Sequence, residues 1–187
     1  MKKQPNRNYR SNDVVMTPQT LADALVEAID PCGLVLEPCV GSGAFVSALR
    51  RHMQTCDGIN EVETCEISDG RDFLQWRDEV DWVLTNPPWS QFRAFLAHAL
   101  TLAHDVALLS TVNHWWTRHR VQAVQRAGFG YRHLVLCDWP DEFPASGFQL
   151  GMMHVSKGYE GPLQIHWLPG HGQHAVRGPW LEFRGVA

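Results

Sequence analysis

Short β-branched and apolar runs alternate along the chain with longer stretches whose apolar positions recur at helical spacing. Residues 33–37, 62–67, 80–84, 106–110, 131–137, 152–156 and 163–168 read as strands, bounded by proline, glycine or polar residues. Between them, Leu21, Ala22, Leu25 and Ile29 mark a first amphipathic helix, and Val46, Leu49 and Met53 a second. Phe92, Phe95, Leu96, Ala99 and Leu100 share the inward face of a third, while Val121, Val124 and Ala127 share that of a fourth. Strands that alternate with helices make a parallel sheet covered on both faces. The last two strands flank only the turn from Lys157 to Pro162, so an antiparallel hairpin is expected at the C-terminal end of the sheet. The expected architecture is α/β and mostly parallel, one domain over residues 14–187 after a flexible basic segment at 1–13.

Ligands of open α/β sheets bind beyond the carboxyl ends of the strands, and the polar residues of this chain collect there. Pro38-Cys-Val-Gly41-Ser-Gly43-Ala-Phe45 joins the first strand to the second helix. Its glycines let the backbone approach a ligand, and the helix N-terminus offers free N–H groups. Glu66 closes the second strand, where a carboxylate can accept from a pair of hydroxyls; Glu63 competes for this role but points outward along the strand. Only five residues separate Glu66 from Asp72, which leads the turn Asp72-Phe73-Leu74. The strand at 80–84 is stopped by Asn86-Pro87-Pro88-Trp89. Proline removes a backbone donor and holds the preceding residue extended, so the Asn86 side chain can project into a crevice with the flat face of Trp89 nearby.

Asn86-Pro87-Pro88-Trp89 resembles motif IV of the amino methyltransferases that use S-adenosylmethionine (SAM), chiefly those that methylate adenine N6. Glu37-Pro38-x-x-Gly41-x-Gly43-x-Phe45 resembles their motif I, and Thr17-Pro18 before a helix their motif X. Glu66, Asp72-Phe73 and Phe95 take the places of motifs II, III and V, in an order similar to the gamma arrangement of DNA adenine methyltransferases. The later strands resemble, loosely, the small phage-type members. The resemblance implies a Rossmann-like, seven-stranded class I methyltransferase sheet with SAM as cofactor. It places Thr17 and Pro18 near the methionine end of SAM, Glu37 near its ammonium, Gly41 and Gly43 along it, Glu66 on the ribose hydroxyls, Asp72 on the adenine amino group, and Phe73 and Phe95 against the ring. Pro38 and Phe45 belong to the same loop. Phe95 and Thr17-Pro18 also have plain structural readings, as core packing and as a helix start.

The implied chemistry suits the residue types. An exocyclic amine is a poor nucleophile because its lone pair is delocalised into the ring. Two acceptors, the Asn86 side-chain oxygen and the Pro87 carbonyl, would draw its hydrogens and free that lone pair. Trp89 would stack on the extruded base.

A net charge of −4 runs against a nucleic-acid partner until its distribution is considered. Lys2, Lys3, Arg7 and Arg10 form an acid-free start, and no acidic residue occurs between Val106 and Cys137, where Arg118, Arg120, Arg126 and Arg132 lie. Trp115, Trp116, Arg118 and Arg120 follow a strand's carboxyl end and read as a stacking and phosphate-contact surface, or as an ordinary helix start. DNA is the expected partner, with RNA open. The five scattered cysteines form no Cys-x-x-Cys pair, and His171 and His174 lack further ligands, so no metal is expected. No apolar run is long enough to span a membrane and no signal-peptide core is present, which points to a cytoplasmic protein. No large target-recognition segment follows motif IV, so weak sequence discrimination is expected. Cytosine N4, RNA adenine, a protein glutamine, or a non-catalytic SAM- or DNA-binding role remain as alternatives.

Overall fold

The computed structural model describes residues 15–144, 146–168 and 181–183. The basic segment at 1–13 and the tail histidines His171 and His174 lie outside the described residues. All seven expected strands form: β1 Gly33–Glu37, β2 Ile59–Thr64, β3 Val80–Thr85, β4 Ala103–Thr111, β5 Phe129–Cys137, β6 Leu150–Lys157 and β7 Leu163–Leu168. An eighth, β8 Leu181–Phe183, extends the sheet, whose order is β2-β1-β3-β4-β6-β5-β7-β8. β2 lies three residues earlier than its apolar pattern indicated, which leaves Glu66 beyond its end. The helices are α1 Gln19–Ile29, α2 Ala44–Thr55, α3 Phe92–Leu102 and α4 Arg118–Arg126.

Strand alternation sorts the side chains. Val35, Trp82, Leu84, Ala107 and Leu109 face the side covered by Leu21 and Leu25 of α1 and Phe45 and Leu49 of α2. Leu36, Val83, Val106 and Leu108 face the other side, against Phe92, Phe95, Leu96 and Ala99 of α3 and Val124 of α4. Because both faces are buried, the central strands read as nearly continuous apolar runs rather than alternating ones. Among the described residues no helix is long and apolar enough to cross a membrane.

The antiparallel pairing at the C-terminal end involves different partners from those expected. β6 runs antiparallel between β4 and β5, and β7 lies on the far side of β5, parallel to it, with β8 antiparallel at the edge. The turn that leaves β6 therefore crosses the start of β5 instead of folding back as a hairpin. Gly130 makes the crossing possible, because a Cβ there would collide with the Tyr159 carbonyl. The N–H of Gly158 fastens the turn to the Gly128 carbonyl at 2.7 Å. At the other end, Pro18 is the cap residue of α1 and no side chain caps the helix, while the Thr17 hydroxyl accepts from Asn86.

Candidate active site

The carboxyl ends of β1, β2 and β3 open onto a cavity of about 470 Å³. The loop after β1 forms one wall. Gly41 and Gly43 both sit in the left-handed region, at φ 49° and 83°, where other residues are strained. The Gly41 N–H donates to Glu66 Oε2 at 3.0 Å, so the glycine loop and the turn after β2 hold each other. Glu66 Oε1 accepts weakly from the Ser68 N–H at 3.4 Å. Asp72 caps a short turn by accepting from the Leu74 N–H at 2.9 Å. That turn drops Phe73 into the core, its ring 5.1 Å from Phe95 on α3. Pro38, Gly41, Glu66, Asp72, Phe73, Asn86, Pro88 and Phe95, drawn from five separate stretches of sequence, all line the cavity.

Asn86 follows the last residue of β3 and is fixed on both sides of its amide. Its Nδ2 donates to the Val15 carbonyl at 3.1 Å and to Thr17 Oγ1 at 3.2 Å, which ties the entry to α1 against the strand end. Its Oδ1 accepts from the Trp89 indole N–H at 3.2 Å. The same indole N–H reaches the Leu109 carbonyl of β4 at 3.3 Å. Trp89 is therefore turned towards the sheet, edge-on to His114, Trp139 and Phe143, with each centroid 6.1 Å away. Pro87 is buried, and neither it nor Trp89 lines the cavity. Thr17 and Phe45 line a recess of about 30 Å³ that shares Gly41 and Asn86 with the larger cavity, whereas Pro18 and Gly43 line neither.

Glu37 departs from its expected place. It is 1% exposed and does not line the cavity. Its Oε1 accepts from Thr85 Oγ1 at 2.6 Å and from the Cys39 N–H at 2.8 Å, and its Oε2 is buried without a partner. Burial pushes the carboxyl up to about 8 against the opposing pull of these donors, so the group is largely neutral at pH 7. In this structure the carboxyl braces the loop from below rather than facing the cavity.

The aromatic and basic residues after β4 divide. Trp115 is wholly buried against Phe92 and cannot stack on an incoming base. Arg120 is drawn inward: its Nη1 donates to the His114 carbonyl at 2.6 Å, and its guanidinium lies 5.3 Å from the Phe92 ring centre. Trp116 is 47% exposed beside Tyr131, and Arg118 is exposed at the first turn of α4. The pattern around Asn113 to Arg120 gave no way to separate these pairs, because the turn Val112–His114, which no periodicity marks, decides that Trp115 is buried and Trp116 exposed.

Other cavity residues were not anticipated. Ile67 is 71% exposed and Met16 46% exposed, and both line the cavity. An isolated isoleucine in an otherwise polar turn directly after Glu66 was the available signal. Trp139 and Phe143, four residues apart in the β5–β6 connection, complete the surroundings of Trp89. Two aromatics in a loop rich in proline and glycine are the corresponding sign there.

No family model and no curated protein matches the sequence. Solved structures match the fold. A Pyrococcus horikoshii protein assigned as an RNA methyltransferase has a TM-score of 0.54 at 16% identity, over 78% of this chain and 86% of its own. The methyltransferase subunit of a Streptococcus thermophilus type I restriction-modification system gives 0.60 at 12% identity, over 82% and 47%. The type I restriction enzyme EcoKI M protein gives 0.60 at 15% identity, over 88% and 51%. This chain thus spans about half the length of the two type I proteins. At these identities the likeness is one of architecture: the chain has the α/β fold of the class I methyltransferases.

Proposed function

We propose that this chain transfers a methyl group from SAM to the exocyclic N6 of adenine in DNA, with little discrimination of sequence. The observation that carries the reading is the presence of the Asn86 amide and the Gly41 loop on the same cavity. Had Asn86 faced the core, the resemblance would have had no chemical content.

The residues fit the cofactor. The cavity lies in the range of small-molecule sites, on the order of 300–1,000 Å³. Glu66 and Asp72 each retain acceptor capacity beyond the backbone N–H groups they bind, enough for ribose hydroxyls and an adenine amino group. Phe73, Phe95 and Ile67 supply apolar walls for a flat ring. When bound, SAM supplies an electrophilic methyl group on its sulfonium.

The chain's own contribution is to position and sharpen the nucleophile. Asn86 Oδ1 and the Pro87 carbonyl accept the two amine hydrogens, which localises the nitrogen lone pair. The Val15 carbonyl and Thr17 hydroxyl engage the amide nitrogen, which supports the oxygen, shared with the Trp89 indole, as the acceptor for the incoming amine. Trp89, Trp139 and Phe143 form an apolar bed for an extruded base. The proton released after transfer passes to solvent. Trp116 and Arg118 remain exposed for backbone contact, which supports binding more than sequence reading.

The test is a labelled-SAM panel of duplex DNA, single-stranded DNA, RNA and glutamine-containing peptide. Label is expected in DNA, on adenine, across many sequence contexts. Label confined to RNA or peptide, or to a single strict DNA site, would overturn the assignment of substrate or of specificity.

A further inference from the structure

Helices α1 and α2 cover the same face of the sheet and end together just before the starts of β1 and β2. Gln19 Nε2 donates to the Ala44 carbonyl at 3.0 Å near their starts. At their ends, Asp30 caps α1, His52 lies in the last turn of α2 and Cys56 caps α2. One ligand atom from each of these three residues lies within 4.8 Å of the others, and His52 Nε2 stands 2.8 Å from Asp30 Oδ1.

We infer that Asp30, His52 and Cys56 form a binding site for a divalent cation of the zinc class, separate from the SAM cavity. The donor set is one carboxylate oxygen, one imidazole nitrogen and one thiolate sulfur, which suits a borderline-soft cation better than calcium or magnesium. Cys56 follows the last residue of α2, its N–H bonded to the His52 carbonyl, and its sulfur lies near the His52 ring. Both helices direct their carboxyl ends, the negative ends of their dipoles, to this place. Ligand bonds of about 2.0–2.3 Å put tetrahedral ligands roughly 3.3–3.8 Å apart, so the observed separations need adjustments of roughly 1 Å. The side chain of Asp30 is 63% exposed and Cys56 is exposed, so both can make that shift while the buried His52 stays fixed. Water would fill the fourth position.

The sequence concealed this site because its ligands come from two helices and include no Cys-x-x-Cys pair. Its place explains what it would do. β1 starts at Gly33 and β2 at Ile59, just after the ligands, so the ion would staple the far ends of the two helices whose near ends border the cavity. SAM binding should therefore survive its removal.

The experiment is equilibrium titration of the metal-stripped full chain with zinc chloride against a chromophoric chelator, repeated with cobalt(II). One equivalent is expected, with a sulfur-to-cobalt charge-transfer band and a proton released from the Cys56 thiol. Cys56→Ser and His52→Gln should each weaken zinc by more than roughly tenfold, and Cys56→Ser should abolish the band. Cys32→Ser, at an exposed thiol two residues past Asp30, should change neither. Circular dichroism confirms that each variant is folded, and Cys56→Ser alters only an exposed side chain. Absence of a stoichiometric zinc equivalent, or an equivalent that persists in Cys56→Ser with its band intact, would overturn the site and leave the Asp30–His52 pair as a plain helix-to-helix contact.

Discussion

The indole N–H of Trp89 donates to the side-chain oxygen of Asn86 at 3.2 Å. In the proposed reaction the same oxygen receives a hydrogen of the substrate amine on its second lone pair, so the indole and the amine share one acceptor. The indole N–H also reaches the Leu109 carbonyl at 3.3 Å. Trp89→Phe keeps a ring and removes the donor. It should lower stability by about 1 kcal/mol, the loss of one hydrogen bond, while keeping turnover within roughly tenfold of the parent. Trp89→Ala should lose far more. Denaturant midpoints and steady-state rates check both, and equal loss in the two variants would contradict a role for the ring in seating the base.

Glu37 gives a prediction about pH. The unfolded chain releases this proton near the ordinary 4.5, but the folded chain holds it until about 8. The folded state therefore binds the extra proton between these values, and stability from this group falls as pH rises through the window and is flat above it. At about 1.36 kcal/mol per unit the span is roughly 4–5 kcal/mol at most. His133, pushed down to about 4 by burial, works the other way below about 6.5, so the Glu37 effect is cleanest between neutrality and pH 8.5. Glu37→Gln keeps the acceptor for Thr85 and Cys39 but cannot ionise. Its denaturant midpoint should exceed the parent's at pH 8.5 and converge with it near pH 5.

Trp115 and Trp116 are neighbours with opposite duties. Trp115→Ala empties a fully buried site and should cost about 3–5 kcal/mol. Trp116→Ala and Arg118→Ala should leave the thermal midpoint nearly unchanged, weaken DNA binding, and, for Arg118→Ala, reduce its salt dependence by about one phosphate contact. Binding titrations at several salt concentrations separate the two behaviours.

Ile67 is an exposed apolar side chain on the cavity wall. Ile67→Ser should weaken SAM by roughly tenfold, about the apolar burial of one side chain against a ligand ring, without lowering stability. A loss of stability with unchanged SAM affinity would instead make it a packing residue.

The fold was legible because each strand is a compact apolar run and each helix has a distinct apolar stripe. What the pattern could not provide was the path after β6. That path turns on Gly130, whose missing Cβ lets another strand's exit pass over it, and no periodicity reports such a crossing. Strand ends were legible because proline and glycine mark them, so Gly41, Glu66, Asp72 and Asn86 were found before their convergence was visible. The direction of a side chain at a turn was not. Glu37 lies on the inner side of its strand end and Trp115 on the inner side of its turn, and in each case burial, which depends on the partner across the gap, decides the role. The Asp30–His52–Cys56 group was invisible for the same reason, since only the packing of α1 on α2 brings it together.

The most direct measurement is nucleoside mass spectrometry of DNA incubated with SAM and either the parent chain or Asn86→Ala. Because Asn86 also anchors Val15 and Thr17, SAM affinity should be determined in the same samples and is expected to change only a few-fold, within about 1 kcal/mol. The account predicts N6-methyladenine from the parent and a fall of at least a thousandfold in the variant, on the order of 4 kcal/mol of transition-state stabilisation. Methylation of another atom, or a variant that turns over like the parent, would contradict it.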